Sequence, residues 1–415
     1  MVDFKKEISK FLDRHSNRQI EFLAELVKVP SDNPPGDCVA HAERAAELLK
    51  TLGLEVEKYP VPEDLVRSHG MIRVTNLVVR HRSDGGPTVA LNAHGDVVPP
   101  GEGWTADPYG AEIRDGVMYG RGVAVSKSDF ATYTYALLAL KDVQAPLKGG
   151  VELHFTYDEE AGGRVGPQWL LEQGISRPDF AISAGFSYSV VTAHNGCLHL
   201  EVQVRGKSAH AARPDTGHDA LEAATAVLSA LYEHRKGYTT VRSKIEGIDS
   251  PTLVVGLIQG GINTNVVPDL ITFRLDRRLI PEENSAEVER ELTAIMERTA
   301  AQFPGIELSV RRILLANSLT PVPGTEKLVQ ILTRNAGEVI GGEIRVHGVP
   351  IYTDARHYAA AGIPTVIYGA GPRSLLEANA HRADERLRLS DLRKATQVVA
   401  FTLLELLGDP VHLQK

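Results

Sequence analysis

Apolar residues recur at helical spacing from Ile8 to Val27, through Phe11, Leu12, Ile20, Leu23 and Leu26, and predict an amphipathic helix there. A second helix is predicted from Cys38 to Leu52, stopped by Gly53. Short apolar runs at 76–81 (NLVVRH), 88–93 (TVALNA), 151–157 (VELHFTY) and 179–184 (DFAISA) then read as strands. A helical stretch near 127–143 separates the second from the third. Strands alternating with helices predict an α/β layer around a mostly parallel central sheet flanked by helices.

The texture changes near Val190. The segment VVTAHNGCLHLEVQVRG alternates apolar and polar residues and reads as antiparallel strand. A helix at 218–235, the runs TLVVGLIQGG and LITFRLDRR, and a helix near 282–303 complete a compact α+β unit. After IELSVRRI the first texture returns, with a helix at 324–338, a strand at IPTVIYG and a final helix at 390–408. The expected organisation is a discontinuous domain of residues 1–189 and 313–415, interrupted by an inserted α+β domain at 190–312.

A length of 415 residues agrees with two domains, and 43% hydrophobic with 24% charged residues is ordinary for a globular protein. A net charge of -8 without a Lys/Arg-rich run argues against nucleic acid as a partner. The two cysteines, Cys38 and Cys197, are far apart and form no CxxC pair, as expected in a reducing cytoplasm. The N-terminal stretch is charged throughout, so no signal peptide is expected. No apolar run approaches the roughly 18 to 20 residues that span a bilayer, so no membrane partner is expected.

Candidate chemistry gathers at strand ends. TVALNA runs into His94 and Asp96, a His-x-Asp pair in which the histidine can bind a metal and the aspartate can orient it. A turn whose aspartate caps local amides would look the same. VELHFTY runs into Asp158, Glu159 and Glu160, where adjacent carboxylates repel unless a cation or proton is shared. One of the two glutamates could hold a metal while the other works as a base, although an isolated pair is more often a solvated loop. His381 sits in the polar loop EANAHRADE, and His210 with Arg213 in GKSAHAARPDTG. Asn265 and Arg356 are candidate anion or carbonyl binders. There is no GxSxG elbow, HExxH helix, P-loop or GxGxxG after a strand.

Seven segments stand in the order found in one family: SDNPPG, AHGDVVPPGEGWTADPYGAEIRDGVMYGRG, DEEAGG, GKSAHAARPDTG, GGINTNVVPD, GIPTVIYGAG and the His381 loop. The chain resembles the M20 metallopeptidase/amidohydrolase family over nearly its whole length. The resemblance implies a catalytic domain with two metal ions, and a lid domain that usually also dimerises. It implies an enzyme in which a glutamate activates water against an amide carbonyl of a small-molecule substrate. By position, Glu159 would be the base, Asp96 would support His94, and His94, Glu160 and His381 would be metal ligands. His210 would reach the partner subunit's site of a homodimer and polarise the scissile carbonyl. Asn265 and Arg356 would hold the substrate's carboxylate end.

Two positions depart from the family pattern. The turn YGRGVAVSKS carries Val125 where the resemblance implies a bridging aspartate, and AISAGFSYS carries Gly185 where it implies an acid. Neither side chain can bind an ion. Two dications lacking those carboxylates would repel with little to offset them, so the expectation is against a two-metal centre. Three readings stand open. One Zn, Mn, Co or Fe ion could be held by His94, Glu160 and His381. Asp129, one helical turn beyond Val125, could substitute for the bridge. Or the site could need no metal and cleave or eliminate at a C–N bond by acid–base chemistry. A non-catalytic binding protein is the remaining class. The expected activity is hydrolysis of an amide in an N-acyl amino acid or short peptide.

Overall fold

The computed structural model of the chain describes residues 3–83 and 85–408, so the outer ends of the expected first domain, 1–2 and 409–415, lie outside the described residues. The strands, in chain order, are β1 (Glu57–Pro60), β2 (Thr75–Arg82), β3 (Thr88–His94), β4 (Glu112–Arg114), β5 (Val117–Tyr119), β6 (Gly150–Thr156), β7 (Phe180–Ser183), β8 (Ser189–His194), β9 (Gly196–Arg205), β10 (Thr252–Gly260), β11 (Leu270–Leu279), β12 (Glu307–Ala316), β13 (Arg345–Val349), β14 (Thr365–Ile367) and β15 (Arg386–Arg388). The principal helices, in the same order, are α1 (Phe4–Val27), α2 (Val39–Thr51), α3 (Lys127–Asp142), α4 (Ala220–Lys236), α5 (Ser285–Ala300), α6 (Thr325–Ile340) and α7 (Leu389–Leu407).

Two compact units divide the chain, one of residues 1–192, 321–347 and 353–415, the other of 193–320 and 348–352. In the first, eight strands are ordered β1-β2-β6-β3-β7-β14-β8-β13. The centre of this sheet is parallel, β6 with β3, β3 with β7 and β7 with β14, while β1 runs antiparallel to β2, β2 to β6 and β8 to β14. β6 is buried along its whole length, which explains its continuous apolar run. α3 is buried almost all round, and α1, α7 and α6 cover it and the sheet with apolar stripes such as Ile8, Phe11, Leu12, Leu23 and Leu26. Asp3 caps α1 by accepting from the Lys6 amide at 3.1 Å.

The second unit is an antiparallel sheet ordered β10-β11-β9-β12. Leu198, Leu200, Val202 and Val204 of β9 pack with Phe273 and Leu275 of β11 against Val227 and Leu231 of α4 and Leu292 and Met296 of α5. Alternation leaves Cys197, His199, Glu201 and Gln203 on the other face. The segment read as one alternating run is two strands, β8 and β9, on either side of Asn195. The alternation changes phase at the break, from apolar Val191 and Ala193 to apolar Leu198, Leu200, Val202 and Val204.

Candidate active site

Register assembles the site. His94 at the end of β3 pairs with Thr156 at the end of β6, Asn92 pairs with Ser183 at the end of β7, and Ser183 pairs with Ile367 at the end of β14. The loops leaving these parallel strands therefore open on one edge, where α/β sheets bind ligands. They carry Asp96, Asp158 to Glu160, Gly185 and Ala370.

Asp96 is fully buried and wires the loops together. Its Oδ1 accepts the Glu159 amide at 3.2 Å and its Oδ2 accepts the Glu160 amide at 3.1 Å. Asn33 donates to the same Oδ2 at 3.0 Å. His94 Nδ1 stands 3.0 Å from the Asp96 carbonyl oxygen and 3.4 Å from Oδ1. Ser126 braces the histidine's backbone, accepting its amide and donating to its carbonyl, each at 3.0 Å. Potential ligand atoms of His94, Glu159 and Glu160 consequently lie within 4.8 Å of one another. His381 joins through Glu160, its Nε2 lying 3.3 Å from Oε1. The His381 loop is pinned by Asp384, which accepts the Thr105 amide at 2.8 Å and hydroxyl at 3.0 Å. Asn33 was not singled out among the sequence candidates, although it lies inside SDNPPG.

Crowding of acids sets the electrostatics. Burial pushes the Glu159 carboxyl up to about 7, opposed by His94 and reinforced by Glu160 and Asp96. Burial works against charge on His94, but the Asp96 bond and the Glu159 and Glu160 charges outweigh it and raise the imidazole well above its ordinary range. The Glu160 bond likewise raises His381. Asp158, behind the pair, is pushed up to about 7 by burial and by Asp96, and accepts the Val165 amide at 2.6 Å. Asp354 is raised well above the ordinary carboxylate range by burial, then by Asp158 and Glu159. Arg356 is buried among these acids; it donates to the Thr353 carbonyl at 2.7 Å and to the Gly162 carbonyl. Those two bonds commit much of its guanidinium to the backbone of the acidic loop.

The Gly-Arg-Gly turn is held by the last residue of the EANAHRADE loop. Buried Glu385 accepts from Arg121 Nη1 at 2.7 Å and from the amides of Gly122, Ala124 and Val125 at 3.1, 3.0 and 3.3 Å. Val125 is partly buried and packs its methyl groups against the main core. At Gly185 an added Cβ would stand 2.2 Å from Ile367 Cγ2, so this position has closed against β14. Asp129 stands outside the cluster of His94, Glu159 and Glu160 among the described residues. Its Oδ1 accepts the Ala370 amide at 2.7 Å, and its Oδ2 is buried without a hydrogen-bond partner. Gly369 admits it, because a Cβ there would lie 2.2 Å from Asp129 Oδ1. Burial pushes Asp129 up to about 8, so it is neutral at pH 7.

His210 and Asn265 belong to the second unit, where the structure brings them together. The two loops pair through a bridge between His210 and Val266, and the Ala211 amide donates to the Asn265 carbonyl at 2.9 Å. Both side chains are exposed or nearly so.

The model of peptidase family M20/M25/M40 matches residues 90–405. The chain belongs to the M20 family. This M20 protein is 29% identical over 365 residues to acetylornithine deacetylase of Myxococcus xanthus, covering 87% of this chain and 90% of that one. It is 28% identical over 409 residues to succinyl-diaminopimelate desuccinylase of Gluconacetobacter diazotrophicus, covering 95% and 98%. A dinuclear metal-binding M20 peptidase of Bacillus subtilis superposes with a TM-score of 0.67 at 18% identity, covering 95% of this chain and 99% of that one. The chain is thus an M20 enzyme that hydrolyses C–N bonds. Imidazole and carboxylate donors at His94, Glu160 and His381 suit a divalent ion such as Zn, Mn, Co or Fe. Val125 and Gly185 add no donor to that set.

Proposed function

We propose that this M20 enzyme removes an acyl group from the nitrogen of a small carboxylated molecule, an N-acyl amino acid or a short peptide. The observation that carries this reading is the wiring of Asp96, which orients His94 and both glutamate amides at once and leaves the Glu159 carboxylate beside them. In this mechanism Glu159 takes a proton from water while the water oxygen bonds to the amide carbon. The C–N bond then breaks and Glu159 returns the proton to the leaving nitrogen. A single divalent ion held by His94, Glu160 and His381 would supply Lewis acidity toward the carbonyl. Two ions are disfavoured by the donors present, because Val125 and Gly185 offer none and one oxygen of Asp129 is taken by the Ala370 amide. His210 is assigned to polarising the scissile carbonyl in the site of a partner subunit, and Asn265 and Arg356 to the substrate's carboxylate end.

Replacing Glu159 by Gln tests the assignment. With a panel of N-acetyl and N-succinyl amino acids, turnover should fall by at least about 100-fold with the fold intact; an unchanged rate rejects it. The reduced donor set also favours a second reading, in which the same acids and histidines act without metal. Full activity after exhaustive chelation, with metal below trace by elemental analysis, would select that reading.

Assembly and location belong to this proposal as well. β10 is an edge strand carrying exposed Val254, Leu257 and Ile258 on either side of a bulge between Val255 and Leu257, an apolar edge suited to pairing with a second copy. No helix among the described residues is long and apolar enough to cross a membrane, and neither cysteine is in a disulfide. We assign a cytoplasmic homodimer.

A further inference from the structure

A second set of metal donors lies in the other unit, on the sheet face opposite its helices. Cys197 and His199 are two residues apart on β9, so both project from the same face. Asp276 on β11 is the cross-strand partner of His199. Strand periodicity and antiparallel register thus bring a thiol, an imidazole and a carboxylate to one spot. Their potential ligand atoms lie within 4.8 Å of one another.

The contacts converge on one oxygen. Asp276 Oδ2 stands 2.9 Å from His199 Nε2 and 3.8 Å from Cys197 Sγ. The other oxygen, Oδ1, accepts from Arg278 Nε at 3.0 Å, which fixes the carboxylate's rotation and turns Oδ2 toward the other two. Tetrahedral zinc with bonds of about 2.0 to 2.3 Å would separate such donors by roughly 3.4 to 3.6 Å. The observed 2.9 and 3.8 Å from Asp276 Oδ2 bracket that range. Cys197 is buried, while the side chains of His199 and Asp276 are 34% and 31% exposed, which leaves an ion a way in from solvent.

We propose that Cys197, His199 and Asp276 form a binding site for a borderline-soft divalent cation, zinc foremost, with a fourth position for water. Thiolate and imidazole donors favour zinc over magnesium or calcium. Binding releases the Cys197 thiol proton to solvent, and thiolate and carboxylate then balance the ion's two charges. The bound ion clips β9 to β11.

Titrating the metal-depleted full-length protein with Co²⁺ tests this. A thiolate-to-cobalt charge-transfer band should appear in the wild type and in a Cys38→Ser control. It should vanish in Cys197→Ser and in His199→Gln, each of which should bind one equivalent fewer. Because His199 is partly exposed, the His199→Gln variant decides the matter even if Cys197→Ser fails to fold. Absence of the band in the wild type, or its survival in either variant, overturns the proposal.

Discussion

Val125 and Gly185 differ in how far the surroundings have adapted to them. Val125 sits on a turn whose backbone is still held in a presenting geometry by Glu385. Val125→Asp should therefore place a carboxylate near His94 and tighten Zn²⁺ binding by about tenfold or more in calorimetry. Gly185→Glu should not, because its Cβ meets the stiff Ile367 side chain. That variant should instead lower the melting temperature without gaining metal affinity. Asp129 offers a cleaner titration. Its carboxyl rises from 3.8 to about 8 on folding, so between those values the folded state holds a proton that the unfolded chain has released. Stability from this group is full below about 4 and lost as pH rises through about 8. Asp129→Asn removes the linkage. Its advantage over wild type in urea unfolding should grow across that window and level off above it.

Among elements, parallel register does most of the positioning. The predicted strands and long helices lie within a few residues of those observed, because buried runs and apolar stripes are local properties. The loops at the strand ends were legible only as sets of residue types. Nothing local connects Asn33 to Asp96, or Glu385 to the turn at 121–125, since those bonds join segments about 60 and 260 positions apart. The buried Arg121 and Glu385 pair makes the second link costly to break. Glu385→Ala strands a guanidinium and three amides, and should lose roughly 3 to 5 kcal/mol in denaturant titration. Activity should fall with it as the turn at Val125 loosens. Glu385→Gln, which keeps the acceptor on the amides, should lose less.

At the scale of the whole molecule, one chain holds two autonomous cores, one built on a sheet with a parallel centre and one on an antiparallel sheet. The second unit takes in residues 193–320 and 348–352, and its last strand, β12, runs to Ala316 with a register shift between Arg312 and Leu314. Assembly is tested on the same unit. Leu257→Lys at the β10 edge should shift the mass by light scattering from dimer to monomer, with the thermal midpoint of each core little changed. An unshifted mass would remove β10 as the pairing edge.

The parallel strands that set His94, the last residue of β3, beside the acidic loop are buried, whereas Asp96, Glu159 and Glu160 sit on the connections that leave them. Such a division lets selection rewrite some of the reagents while the sheet stays unchanged. A lineage could shed an ion-binding acid at such a connection and test the consequence in turnover. The same separation makes this chain a usable chassis for installing new donors, one loop at a time.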